Sequence, residues 1–251
     1  MINQLKQRMR AGETCFGTWV SSSSVEVAES LAALGFDWLV VDMEHGSAGI
    51  ADAAAMFVAA ERHGCTPLAR VPSADPYLAR RLLDNGAHGI VVPVVENAEA
   101  FRGFARHCFY PPEGRRGVAL GRFNMFGDTF DSYMRDFRPI LVPQIETRAG
   151  VAAAESIAAL PEVDALFFGP YDLSADLGTP GNFTTNAFND AIECVKAACT
   201  KHGKPAGGHQ IMPDLAGLKK LVDGGFRFVA YGTDLIVLRQ ALAGFRTLKG
   251  K

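Results

Sequence analysis

Apolar positions along the chain gather into eight short runs: CFGTWV (15–20), WLVVD (38–42), PLARV (67–71), GIVVPVV (89–95), ILVPQIE (140–146), ALFFG (165–169), PAGGH (205–209) and FRFVAYG (226–232). Runs of this length, bounded by Gly, Pro and polar residues, predict buried strands. Between most of them the apolar spacing becomes helical, over 24–35, 50–63, 76–86, 97–107, 149–160, 186–202 and 213–224. Ser24 stands as the N-cap of the first of these helices. Several helical stretches finish on a glycine just before the next strand, in ALGFD, RHGCTP, DNGAHG, KHGKP and DGGFRF. That is the αβ connection of a parallel sheet.

Eight strand-then-helix units in 251 residues, with no break in composition, predict one α/β domain over 1–251. The expected architecture is a (β/α)8 TIM barrel. A doubly wound open sheet is the competitor, but no GxGxxG follows any strand, and no nucleotide cofactor is expected. Segment 108–138 is dominated by Pro, Gly and Arg and is too long for a plain connection. A structureless loop of that size reads as functional or as a subunit contact. The last helical stretch, 233–246, carries Leu235, Ile236, Leu238, Leu242 and Phe245 over a broad face. Such a face on an end element predicts docking on another subunit, and so a homo-oligomer.

Composition narrows the partners. Apolar residues make up 48% and charged residues 21%, as in ordinary globular proteins. Lys and Arg number 25 against 27 Asp and Glu, with no basic block, so nucleic acid is not an expected partner. No apolar run approaches the roughly 20 residues that span a bilayer, so no membrane partner is expected either. The stretch MINQLKQRMRAGETC has no apolar h-region, and a cytoplasmic location is expected. The five cysteines form no CxxC pair and read as reduced packing residues.

The chemistry gathers at the C-terminal ends of the predicted strands, where such barrels carry their sites. Strand 2 ends in Asp42, Glu44 and His45, strand 3 in Arg70, and strand 5 in Gln144 and Glu146, which share a face. Asp172 lies three residues past Gly169. Buried charges are costly unless something pairs with them. Taken singly, Arg70 is a structural ion-pair partner, Asp172 a helix cap and His45 a satisfied loop histidine; their convergence on one mouth is what argues for a site. His209 and Asp234, ending strands 7 and 8, read as structural. Two carboxylates with open positions suit Mg2+, Mn2+ or Co2+, whereas zinc normally takes more His or Cys. No Lys lies between Lys6 and Lys196, and Lys204 precedes strand 7, so a Schiff-base lysine is not expected. Metal-assisted proton chemistry is left.

Seven ordered blocks carry a resemblance: GTW (17–19), DMEHG (42–46), ARVP (69–72), LLDNGAHGIVVP (82–93), YPPEGRRG (110–117), QIET (144–147) and FFGPYDLSADLG (168–178). Over nearly its whole length the chain resembles the metal-dependent class II pyruvate aldolases, typified by 4-hydroxy-2-oxoheptanedioate aldolase and 2-keto-3-deoxyglucarate aldolase. The resemblance implies that Glu146 and Asp172 hold the divalent ion and that His45 is the acid/base. Asp42 would orient His45, with Asp84 from a neighbouring subunit raising its basicity. Arg70 would neutralise the developing enolate oxygen. Gln144 and the backbone at Tyr171 and Asp172 would seat the 2-oxo acid, and Trp19 would wall the pocket. It also implies a barrel that exchanges its last helix between subunits and assembles as a hexamer, a dimer of trimers. The implied substrates are small molecules, a 2-oxo acid and an aldehyde.

The chain departs from the family pattern at Tyr171, where relatives often carry a small residue, and in VALGRFNMFG and AGGHQIMPD. These departures bear on the aldehyde half of the reaction. Two alternatives stay open. One is a citrate-lyase-like CoA ester lyase or oxaloacetate decarboxylase, for which only Arg115, Arg116 and Arg122 offer extra cations. The other is a non-catalytic barrel that binds oxo acids.

Overall fold

The computed structural model describes residues 4–249. Parallel strands β1 (Cys15–Val20), β2 (Trp38–Asp42), β3 (Thr66–Arg70), β4 (Gly89–Val92), β5 (Ile140–Ile145), β6 (Leu166–Phe168), β7 (Ala206–Gln210) and β8 (Phe228–Thr233) close into a barrel in chain order. Helix α1 (Gln4–Arg10) precedes the barrel. Helices α2 (Val25–Ala32), α3 (Ile50–Arg62), α4 (Pro76–Asp84) and α5 (Ala98–Ala105) follow the first four strands. Then come α6 (Phe130–Asp136), α7 (Arg148–Ala158), the short α8 (Pro170–Asp176), α9 (Asn186–Lys201) and α10 (Leu215–Asp223). Helices α11 (Asp234–Ala241) and α12 (Phe245–Leu248) follow β8. The single-domain TIM barrel expected from the alternating pattern is the fold observed.

Local chemistry explains the element ends. Ser24 accepts a hydrogen bond from the Val27 N–H, and Asp75 accepts from Tyr77 and Leu78 ahead of Pro76. Each such cap contributes about 1 kcal/mol. Gly64 and Gly203, which follow α3 and α9, take positive φ (71° and 63°), a conformation open to glycine at little cost. Strand β4 stops at Val92, short of the expected 95. Pro93 has no N–H to continue the ladder, and Val94 turns to φ 51°.

Side chains alternate across the barrel wall. Outward positions such as Leu39, Val41, Ile90 and Leu141 pack with Met56, Phe57, Leu82, Leu83 and Ile157 of the helices. Inward positions Trp38, Val40, Leu68, Val91, Ile140, Val142, Phe167 and Phe228 form a separate interior cluster, closed beneath by Leu5 and Met9 of α1. Trp38 stacks on Phe228 at 4.1 Å, and Gly17 is the residue that makes room for it: a Cβ there would enter the Trp38 ring. Toward the C-terminal ends the same alternation delivers polar groups. Asp42 follows Val40, Arg70 follows Leu68, Gln144 follows Val142 and His209 follows Gly207.

Segment 108–138 is ordered rather than structureless. It contains a cis bond between Pro111 and Pro112, an irregular 3-10 stretch over Arg122–Gly127, and α6. Its organising contact is Arg116, fully buried, whose guanidinium carbon lies 4.6 Å from the Tyr110 ring centre and 5.4–5.9 Å from those of Phe123, Phe137 and Tyr133. Arg116 donates to Asp84 at 2.8 Å. Asp84 lies 32 positions away and the aromatic partners sit on both sides of Arg116 at no regular spacing, which is why local patterning reads the segment as a loop.

The expected helix over 233–246 is two pieces, α11 and α12, parted around Gly244, a poor helix former. Leu235 and Leu238 on α11, Leu242 just past it, and Phe245 and Leu248 on α12 are at least half exposed. Among the described residues no helix is long and apolar enough to cross a membrane.

Candidate active site

Strands β2 and β3 run in register, with Asp42 opposite Arg70. Arg70 grips Asp42 with both prongs of its fork: Nε donates to Oδ1 at 2.9 Å and Nη2 to Oδ2 at 2.7 Å. Its third nitrogen, Nη1, reaches Glu44 Oε2 at 2.9 Å. Below, the guanidinium carbon sits 4.5 Å from the Trp19 ring centre. Arg70 and Asp42 are both buried. Asp42 also accepts the backbone N–H groups of Glu44 (3.1 Å) and His45 (3.2 Å). Its contact with His45 therefore runs through the backbone, fixing the turn that carries the exposed imidazole.

Two strands further round the barrel, Glu146 is buried just past Gln144 and accepts a hydrogen bond from the Gln144 amide nitrogen. It accepts another from the Val94 N–H at 2.6 Å. Val94 holds φ 51°, an uncommon conformation for a β-branched residue, and its strained turn aims that N–H at the carboxylate. Gly169 completes the cradle. A Cβ there would intrude on Glu146 Oε2 and lie 2.7 Å from Glu146 Cβ and 2.9 Å from Gln144 Nε2. Burial, reinforced by the negative charge of Asp172 and Glu44, pushes the Glu146 carboxyl up to about 7, against the Val94 and Gln144 hydrogen bonds. Glu44 is raised too, by burial first, with Arg70 and His45 opposing and Asp42 and Asp172 reinforcing.

Glu146 and Asp172, the latter exposed in the first turn of α8, thus bring two carboxylates together with Glu44 nearby. Among the described residues no three His, Cys, Asp or Glu side chains form a metal cage. A two-carboxylate set fits a hard divalent cation that keeps water or substrate oxygens in its other positions. Gln144 Oε1, buried without a hydrogen-bond partner, is an acceptor suited to such a water. Trp19 Nε1 is a second buried polar atom at this level without a partner.

The structure gathers Trp19, Asp42, Arg70, Gln144 and Glu146 at one mouth, with His45, Tyr171 and Asp172 on its rim. Tyr171 is 55% exposed and packs edge-on against Phe183. Asp84 lies elsewhere in this chain, at the C-terminal end of α4, held by Arg116. Asp234 accepts from the Ser21 and Ser22 N–H groups and the Ser22 hydroxyl, tying β8 to the loop after β1. Two of the three cations considered for a CoA reader are spent elsewhere, Arg116 caged and Arg122 paired with Glu61, while Arg115 is exposed. Arg122 and Glu61 line a cavity of about 620 Å3 beside the N-terminal ends of β3 and β4, away from this chemistry. Lys204 donates to the Val163 carbonyl ahead of β7.

Sequence reasoning missed Val94 and Gly169. Pro93, ending a buried run, and Gly169, set between strand and Pro170, were the available signals. Glu44 was noted in the DMEHG cluster without a role; its place against Arg70 is a contact between adjacent strands.

A family model described as HpcH/HpaI aldolase/citrate lyase matches residues 15–241. The chain belongs to this family. It is 36% identical over 241 residues to 5-keto-4-deoxy-D-glucarate aldolase of Klebsiella pneumoniae, covering 95% of this chain and 93% of that one. Against hydroxypyruvate/pyruvate aldolase of Roseovarius nubinhibens the identity is 35% over 253 residues, covering 98% and 97%. The crystal structure of an HpcH/HpaI aldolase/citrate lyase family protein from Burkholderia cenocepacia superposes with a TM-score of 0.90 at 35% identity, covering 97% and 99%. The named relatives are aldolases, which are carbon–carbon lyases.

Proposed function

We propose that the protein is a divalent-metal aldolase that cleaves a 4-hydroxy-2-oxo acid to pyruvate, or a close 2-oxo acid, and an aldehyde. The observation that carries this reading is Arg70, buried and fixed in orientation by Asp42, at one mouth with the Glu146–Asp172 pair. Glu146 and Asp172 would hold Mg2+, Mn2+ or Co2+, which when bound supplies Lewis-acid polarisation of the 2-oxo group.

This chain's residues do the rest. Retro-aldol cleavage needs a base at the C4 hydroxyl, and His45 is the exposed imidazole on the rim that takes this proton. As the C3–C4 bond breaks, negative charge develops on the C2 oxygen. Arg70 is the fixed cation placed to receive it, and its preorganisation by Asp42 and Glu44 spares reorganisation during the reaction. Gln144 and Val94 hold Glu146 in place, and Trp19 forms the apolar wall under Arg70. No lysine participates. Asp84 would come from a neighbouring subunit of a hexamer, with the apolar face of α11 and α12 covered in that assembly.

The test is condensation of pyruvate with a panel of aldehydes in the presence of Mg2+ or Mn2+, analysed for 4-hydroxy-2-oxo acid products. Metal-dependent product formation is expected. Binding of pyruvate without turnover of any aldehyde would favour the non-catalytic barrel instead.

A further inference from the structure

His209 was read from sequence as structural, yet the fold places it inside the mouth. It pairs in register with Ala230, an interior residue, and stacks on Trp19 with ring centres 5.6 Å apart and planes 17° from parallel. Trp19 is the ring that also carries Arg70. Strand β7 yields its other interior position to a neighbour: a Cβ on Gly207 would lie 2.6 Å from the Phe167 ring. The strand therefore spends its inward side chain on an imidazole at the level of Arg70.

The hydrogen bonding fixes what that imidazole offers. Nε2 lies 3.0 Å from the Gly232 carbonyl, which only accepts, so the ring proton sits on Nε2. Burial, the opposing Gly232 bond notwithstanding, pushes its pKa down to about 4, with the Arg70 charge acting in the same direction as burial. The ring is neutral near pH 7 and Nδ1 keeps its lone pair. Among the described residues Nδ1 has no hydrogen-bond partner, and with His209 only part-buried this atom is open to solvent. A nitrogen open in this way is one that a substrate hydroxyl can reach in place of water.

We propose that His209 is a specificity-determining residue that accepts, through Nδ1, a hydrogen bond from a hydroxyl group of the substrate. The inference rests on the aldolase reading. A neutral acceptor gains nothing from a carboxylate or a carbonyl, and a 2-oxo acid such as pyruvate has no neutral donor. The recognised group is therefore a hydroxyl. It comes either from C3 of a hydroxylated 2-oxo acid or from the α-carbon of a hydroxyaldehyde.

Four substrate pairs separate these sources: pyruvate or hydroxypyruvate, each with acetaldehyde or glycolaldehyde, in the presence of Mn2+. In His209→Phe, which keeps a ring on Trp19 but no acceptor, the kcat/KM ratio of hydroxylated to plain substrate should fall about tenfold, the scale of one hydrogen bond. The fall follows the 2-oxo acid if the C3 hydroxyl is read, and the aldehyde if its α-hydroxyl is read. His209→Gln, which keeps a neutral acceptor, should retain most of the ratio, and His209→Leu repeats the test should the Phe variant not fold. An equal loss on all four pairs, or no change in any ratio, overturns the proposal. If wild type turns over none of the pairs, the aldolase reading falls by itself. Calorimetric affinities of the four compounds in wild type and His209→Phe then decide the role of His209: the hydroxylated compounds should lose about tenfold relative to the plain ones, and equal losses overturn it.

Discussion

Asp42 and Arg70 face each other across adjacent parallel strands, joined by two hydrogen bonds of 2.9 and 2.7 Å in a side-on fork. An arginine held this way cannot swing, and its remaining nitrogen reaches Glu44. The pair converts a flexible cation into a fixed one at the point where the proposed chemistry creates negative charge.

Arg70→Lys keeps the charge and loses the fork. The ammonium cannot engage both Asp42 oxygens and still face substrate. We expect kcat to fall roughly 10²-fold or more, the scale of a removed oxyanion donor. Steady-state kinetics on the cleavage reaction checks this. An unchanged rate would make Arg70 a purely structural partner of Asp42.

Gly169→Ala tests the cradle without touching a charged group. The new Cβ intrudes on Glu146 Oε2 and lies 2.9 Å from Gln144 Nε2, so the carboxylate must move. We expect Mn2+ affinity to drop at least about tenfold, in the range that supporting residues of metal sites show, while the circular dichroism spectrum stays native. Gly103→Ala is the control. It lies inside α5 with nothing within 4 Å of its added Cβ, and helix propensity favours the change. Equal Mn2+ affinity in both variants would remove Gly169 from the site.

The barrel was legible because its signals are local. Apolar runs, helical spacing and the glycine before each strand recur along the chain, and β1 and β2 begin and end where the pattern places them. The polar residues at the strand ends were legible for the same reason. Their partners were not. The Arg70 fork on Asp42, the Val94 N–H on Glu146 and the Arg116 bond to Asp84 join residues 28, 52 and 32 positions apart, and no periodicity encodes such contacts. His209 was hidden for a different reason. PAGGH is a weak strand signal, and only the closed sheet shows which of its residues faces inward.

Acid stability should report on His209. Its folded pKa of about 4 lies below the ordinary 6.5. As pH falls below 6.5 the unfolded chain takes up this proton while the folded ring stays neutral. The unfolded state then binds more protons, and stability drops until the folded ring also titrates near 4. The contribution is complete above pH 6.5 and lost toward pH 4. We expect the melting temperature of His209→Phe to fall less than that of wild type between pH 7 and 4.5. Parallel curves would place the titration elsewhere.

The apolar face of α11 and α12 bears on assembly. Leu238 on α11 is 60% exposed and Leu242, just past its end, 67%. Covering them against a second subunit would stabilise an oligomer by burial. Sedimentation at micromolar concentration should show an oligomer for wild type and a shift toward smaller species for Leu238→Glu. A monodisperse wild-type monomer would defeat the expectation of docking by this helix pair.

Removing metal should separate folding from chemistry. The barrel interior and the helix-facing layer are apolar and complete without an ion, unlike a small zinc domain whose folding depends on its metal. Chelation should therefore abolish cleavage and leave the fold intact, and Mg2+, Mn2+ or Co2+ should restore activity. Two substitutions then divide the roles. Asp172→Asn removes one negative charge with little change of shape, so Mn2+ affinity should fall together with turnover. His45→Ala removes the rim imidazole and leaves Glu146 and Asp172 in place, so Mn2+ and pyruvate should still bind while cleavage is lost. Isothermal titration of Mn2+ into wild type and both variants, paired with cleavage rates, reads both predictions at once. Wild-type Mn2+ affinity in Asp172→Asn would mean that the ion is held elsewhere, and retained cleavage in His45→Ala would mean that another group takes the C4 hydroxyl proton.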